Sequence, residues 1–169
     1  MQKTWNRLEQ WLLAHDPTRL ADLRPPAQAG QLADLEVTLS LALPYELAES
    51  LRRHDGQARK GPGLFGEMAY SGCAAIATDW ATLTRLASDG DFDDLPNAPD
   101  NGIASAWWHA SWIPFAANGA GDHLCIDTAP SRGGQVGQII TFQHDHPRRR
   151  LVAPSLGTWL EATVQKAAR

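Results

Sequence analysis

Cysteine is scarce here: Cys73 and Cys125 are the only two in 169 residues. Two cysteines do not make a disulfide framework or a zinc site. Both lie in apolar or strand-like sequence and read as buried thiols. No stretch approaches the roughly 20 apolar residues that span a bilayer, so no membrane association is expected. The N-terminus, MQKTWNRLEQWLLAHD, lacks a signal-peptide layout, because Glu9 and Gln10 break its short apolar run. A cytoplasmic location is the resulting expectation. Basic charge is in deficit, fifteen Lys and Arg against nineteen Asp and Glu, for a net charge of -4. General nucleic-acid binding needs a basic footprint, and direct contact with nucleic acid is not expected. Mild acidity suits a basic protein partner instead. There are no internal repeats, no low-complexity tract and no Gly-x-Ser-x-Gly nucleophile elbow.

What is present is centred on Trp112 to His144. The run His123 to Asp127 alternates: Leu124 and Ile126 point one way, His123, Cys125 and Asp127 the other. Such alternation marks a strand, whose successive side chains face opposite sides of a sheet. Trp112 to Ala117 and Val136 to His144 read as strands on either side of it. Asn118-Gly119-Ala120-Gly121-Asp122 supplies turn residues between the first two. A glycine loop that cradles phosphate would follow a strand and open a helix; this one joins two strands and reads as a hairpin turn.

Helical sequence flanks the meander. Thr4 is a plausible N-cap for a helix ending near His15, with Trp5, Leu8 and Leu12 on one face, widened by Trp11. Asp16-Pro17 stops it. A second helix covers about Gln28 to Ser40 with Leu32, Leu35 and Leu39 buried. Pro44 opens a third, whose apolar side is Tyr45, Leu47, Ala48 and Leu51, and Gly56 closes it in the left-handed position. Residues 57–72 read as loop and Cys73 to Ala77 as a short strand. Asp79 reads as N-cap of a helix from Trp80 to about Ser88. Leu151 to Ala153 reads as a returning strand. Ser155 caps a last helix carrying Leu156, Trp159, Leu160 and Val164, with Lys166 and Arg169 at its end. The expected fold is α+β: one domain with a mainly antiparallel sheet and helices packed on it. Residues 1–24 form an N-terminal helix and connection, and residues 25–169 the body of the domain.

The candidate sites are weighed on the same residues. The loop Asp89, Gly90, Asp91, Asp93, Asp94, Pro96, Pro99, Asp100 is too rich in proline and aspartate for a regular element. Its bland reading is a solvated loop. Its functional reading is a docking surface, Asp89, Asp91, Asp93 and Asp94, that speeds association with a basic partner. Trp107 and Trp108 join that surface as candidates, since neighbours in a strand point to opposite sides and one of the two is left exposed. Arg148 to Arg150 reads as a solvated turn. His144 and His146 with Asp122 or His123 could hold a metal for hydrolysis, but a third ligand is not picked out by the sequence, so no metal site or cofactor is assigned. Ser105, Ser111 and Cys125 stand without a recognisable His and acid constellation, so no catalytic residue is assigned.

Three blocks then occur in order. The first is Pro26-Ala27, Leu35-Glu36, Leu43-Pro44 and Asp55-Gly56. The second is Trp112-Ile113-Pro114-Phe115-Ala116, Asn118 to Asp122, and Leu124-Cys125-Ile126-Asp127. The third is Gly137-Gln138-Ile139-Ile140, His144-Asp145, Ser155 and Trp159-Leu160-Glu161. This order resembles the Smi/Knr family of the SUKH superfamily, from about Pro25 onward. The family turn usually reads Gly-Gly-Asp, where Ala120 stands here before Gly121-Asp122, and Asp55 replaces the usual asparagine. The resemblance implies a non-catalytic binding domain without cofactor. Bacterial members are mostly immunity proteins that bind and block a cognate toxin, often a nuclease; fungal members are interaction hubs in cell-wall signalling. The expected partner is therefore a toxin protein, with a regulatory scaffold, a homo-oligomer or a metal-dependent hydrolase as alternatives.

Overall fold

The computed structural model describes residues 1–58 and 61–167. Its elements are α1 (Gln2–His15), α2 (Pro17–Ala21), α3 (Ala29–Leu39), α4 (Tyr45–Leu51), β1 (Ala69–Tyr70), α5 (Cys73–Ser88), β2 (Ala98–Pro99), β3 (Trp112–Ala117), β4 (His123–Asp127), β5 (Gln138–Phe142), β6 (Arg148–Arg149), β7 (Leu151–Ala153) and α6 (Leu156–Ala167). The expected meander is present as β3, β4 and β5. They form the centre of an antiparallel sheet of order β1-β3-β4-β5-β7, giving a single-domain α+β fold. Asn118 holds the first hairpin turn: its Oδ1 accepts from the N–H groups of Ala120 at 2.8 Å and Asp122 at 3.1 Å. No helix among the described residues is long and apolar enough to cross a membrane.

Both faces of the sheet are covered, which is why β3 is buried along its whole length. On one face Ile113, Phe115, Ile126 and Ile139 meet Trp5, Leu8 and Leu12 of α1, the leucines of α3 and α4, and Leu156, Leu160 and Val164 of α6. On the other, Trp112, Cys125, Ile140 and Phe142 meet Ile103, Trp107 and Trp108, backed by Trp80, Leu83 and Ala87 of α5. The strand period of two thus sorts alternate residues into two separate cores.

Several expectations need correction. Cys73 to Ala77 is the first part of α5, not a strand, and Asp79 lies inside that helix. A short apolar run has no periodicity that separates strand from helix, and the true cap is remote. Gly72 has no side chain to offer, so Asp55 accepts from the Cys73 N–H at 2.7 Å and from Gln31 Nε2 at 3.2 Å. Gly56 sits between them at φ +76, and a Cβ there would overlap the backbone of Gly72. Thr4 is not a cap: Met1 holds that position, and the Thr4 hydroxyl donates to Glu161 of α6 at 3.2 Å. Tyr45 is not on the buried side of α4. It is 76 % exposed, because it precedes Leu47 by two positions and so points away from it. Lys166 lies in the last turn of α6, while Arg169 is outside the described residues.

The largest correction concerns Arg148 to Arg150. Arg148 and Arg149 form β6, which pairs in parallel with β2. Arg149 is completely buried. Its Nε and Nη2 donate to the Trp107 carbonyl at 3.0 and 2.7 Å, and its Nη1 donates to the His146 carbonyl at 2.6 Å. Its guanidinium lies 4.8 Å from the Trp107 ring centroid and 4.5 Å from that of Phe142. Among the described residues no carboxylate pairs with it. Burial pushes it down to about 10, so it remains charged at neutral pH. Carbonyl dipoles and the ring faces offset its lost hydration.

Two outcomes follow. Arg149→Leu is expected to lower unfolding free energy by about 2–4 kcal/mol, since the Trp107 carbonyl stays buried without its donors. Arg149→Lys keeps the charge but lacks the planar fork, and should lose most of the same amount. Urea melts read both, and an unchanged midpoint in either variant would show that the cage is dispensable. The second concerns Asp127, also completely buried, whose carboxyl is raised by burial against the opposing pull of Gln138 and the Ala129 N–H. A raised carboxyl favours the folded state most when protonated, so its contribution declines as pH rises through the raised value. The stability of the native protein minus that of Asp127→Asn should therefore fall from pH 4 toward pH 7. A signed difference that rises instead would mean that the hydrogen bonds from Gln138 and Ala129 outweigh burial.

Candidate interaction surface

The loop after α5 is acidic because of its sequence and is shaped by its anchors. The Asp91 N–H donates to the Leu86 carbonyl at 3.1 Å and the Asp93 N–H to that of Gly90 at 3.1 Å. Phe92 is turned inward, its ring centroid 6.3 Å from that of Trp107. Farther on, β2 pairs with β6, and Asp100 takes the Leu151 N–H at 3.1 Å and Arg148 Nη2 at 3.2 Å. Those contacts hold the Asp100 carboxyl below its ordinary range, the Leu151 N–H foremost. The expectation of no regular element is thus corrected at Ala98–Pro99, where two residues pair as a strand.

Asp89, Asp91, Asp93 and Asp94 are all exposed. Asp89 is joined to Arg85 at 3.0 Å, one turn earlier in α5. Among the described residues no ion pair engages Asp91, Asp93 or Asp94. Three exposed carboxylates, on a loop that packs inward at Phe92, give a local negative field.

Trp107 and Trp108 are placed differently from the expectation that one is exposed. Both are buried. Trp107 covers Arg149, and Trp108 Nε1 donates to Thr84 of α5 at 3.1 Å while its ring meets Trp112 and Phe142 edge to face at 5.8 and 5.3 Å. Opposite directions do not imply exposure here, because the segment lies in a fold of loop with core on both of its sides. Trp107 lies beneath the acidic loop, in contact with Phe92, and of the six residues singled out only the aspartates are exposed.

The histidines named from sequence are divided. His144 Nδ1 lies 2.9 Å from Asp122, and Asp145 is close enough that the three could share a cation. Gly121, at φ +105, makes room for the imidazole, which a Cβ would touch at 2.9 Å. The pair holds the Asp122 carboxyl below its usual range, against burial, and raises His144. His146 instead accepts the Arg148 N–H at 3.1 Å, and His123 faces Asp79 of α5 at 3.3 Å. Asp145, which stands between the two histidines in sequence, takes the place expected of His146, because the turn before Pro147 brings it toward Asp122 and His144. Among the possible nucleophiles, Ser111 meets His109 Nδ1 at 2.6 Å, two residues away. Among the described residues no carboxylate is hydrogen-bonded to that imidazole. Ser105 bonds Asn97 at 2.6 Å, and Cys125 is buried with its thiol pushed upward.

Comparison with known proteins bears on the whole arrangement. A glucan synthesis regulatory protein of Neurospora crassa is 25 % identical over 96 % of this chain and 37 % of its own length. The cell wall assembly regulator SMI1 of Saccharomyces cerevisiae is 24 % identical, over 92 % of this chain and 38 % of its own. The cell wall biosynthesis/cell cycle regulator smi1 of Schizosaccharomyces pombe is 28 % identical, over 95 % and 34 %. The chain thus spans little more than a third of these relatives. The model of the SMI1 / KNR4 family (SUKH-1) matches residues 26–162, from the segment before α3 into α6. The chain belongs to the SMI1 / KNR4 family (SUKH-1).

Proposed function

We propose that this domain is a non-catalytic protein-binding module of the immunity type, which docks on a basic toxin and blocks it. The observation that carries the reading is the set Asp91, Asp93 and Asp94: exposed, without an ion pair among the described residues, and placed by Phe92 on Trp107. A preset negative patch lowers the ordering cost of binding and steers a basic partner into contact. Asp89 extends the patch, and Trp107 and Trp108 serve it by keeping the loop in shape. The reading places the encounter in the cytoplasm of a bacterium, which agrees with two buried, unpaired thiols. A second reading is a regulatory scaffold for an endogenous partner. It is favoured by the relatives, which are named as regulators of cell-wall assembly and glucan synthesis.

Tagged protein used as bait in its own host separates these readings. A stoichiometric basic protein with toxic activity, neutralised on co-expression, supports the first; a non-toxic partner supports the second; capture of nothing but its own copies sinks both. With the partner in hand, Asp91→Lys, Asp93→Lys and Asp94→Lys together should cut the association rate constant by about tenfold or more at low salt. The loss should fade as salt screens the field. An unchanged rate would remove the acidic loop from the interface.

A further inference from the structure

The N-terminal ends of α4 and α6 meet the end of the sheet around a groove of about 490 Å³. Ile126 and Leu156 are buried and form its floor. Tyr45 and Val136 stand at its rim, 76 % and 70 % exposed, although both are large and apolar. Gly137 leaves one wall bare, with open space where a Cβ would be. The volume falls within the roughly 300–1,000 Å³ usual for binding pockets. Two exposed apolar side chains flanking one such groove are an arrangement that isolated surface residues do not need.

The charge of the groove identifies its guest. Glu46 is the one ionisable carboxylate lining it, and no Lys or Arg joins it among the described residues. A helix N-terminus by itself attracts anions, but Glu46 already fills that role for α6: its Oε2 accepts the Gly157 N–H at 2.9 Å. An ionised carboxylate has about four acceptor positions, so the rest of Glu46 is left for a donor from outside. The exposed Tyr45 ring beside it offers a π-face to the same cation. An anionic guest would meet repulsion from Glu46 and find no opposing charge.

We propose that this groove docks a segment of a protein partner in which an aliphatic side chain stands beside a Lys or Arg. The aliphatic group rests on Ile126 and Leu156, and the cation reaches Glu46 and Tyr45. This contact is separate from the acidic loop and does not depend on it.

The test uses the whole chain, ¹⁵N-labelled, titrated with N-acetyl-Leu-Lys-amide and with N-acetyl-Leu-Glu-amide. The lysine peptide should shift the amides of Tyr45, Glu46, Val136 and Gly137 and bind about fivefold tighter than the glutamate peptide, the size expected of one partly exposed ion pair. Glu46→Gln, whose side-chain oxygen can still accept from Gly157, should bring the two peptides within about twofold. Charge reversal at Asp91, Asp93 and Asp94 should leave these shifts unchanged, so that failure of the loop reading and failure of the groove reading are distinguished. Equal binding of the two peptides, shifts confined to the acidic loop, or no saturable shift at the groove would each overturn the proposal.

Discussion

A single buried cation holds one side of this molecule together. Arg149 is completely buried and, among the described residues, pairs with no carboxylate, so its charge is tolerated only while the Trp107 carbonyl and the two rings stay where they are. Three segments must be present at once: the Trp107 loop, about forty positions earlier, the Phe142 end of β5, and β6. The guanidinium is suited to this, since its planar fork can grip one carbonyl twice while its faces stack on aromatic rings. The β2–β6 pairing then places the end of the acidic loop, and Phe92 leans on the same tryptophan. The shape of the negative patch is thereby set by a positive charge that the solvent never sees.

The same logic of remote partners recurs on the helical side. α5 begins at a glycine and depends on Asp55 from another segment for its cap. α1 is tied to the body by Glu9, which takes Arg53 Nε at 2.6 Å and lies 2.8 Å from His54 Nε2. These are polar ties placed at the edges of apolar contacts. They add direction to packing that burial alone would leave loosely specified.

What could be read from sequence divides along this line. The meander and its turn were legible to the residue at β3 and β4, because alternation and Asn118-Gly119 are local signals. The stripes Trp5, Leu8, Leu12 and Leu32, Leu35, Leu39 were legible for the same reason, since one helical face repeats within a few residues. Cys73–Ser88 was misread at its start because its cap comes from eighteen positions upstream. Arg149 was misread because charge signals solvent unless the surrounding rings are known, and those lie about forty positions earlier and seven positions back. Of the candidate surface, the exposed aspartates were visible in composition. The burial of Trp107 and Trp108, and the opening beside Tyr45, depend on how distant segments meet.

The family match begins at residue 26, yet the core begins earlier. Trp5 of α1 donates to Ser50 Oγ at 3.0 Å, and that hydroxyl lies 2.7 Å from the Tyr70 hydroxyl, so α1, α4 and β1 share one buried polar chain. Replacing Ser50 leaves both Trp5 Nε1 and the Tyr70 hydroxyl without this partner, and replacing either end takes one contact from Ser50. In evolutionary terms, the leading helix cannot drift as a free appendage: changes at Trp5 are admitted only in step with changes at Ser50 and Tyr70. Lineages that alter this helix should carry compensating substitutions inside the family segment, at positions far from any binding surface.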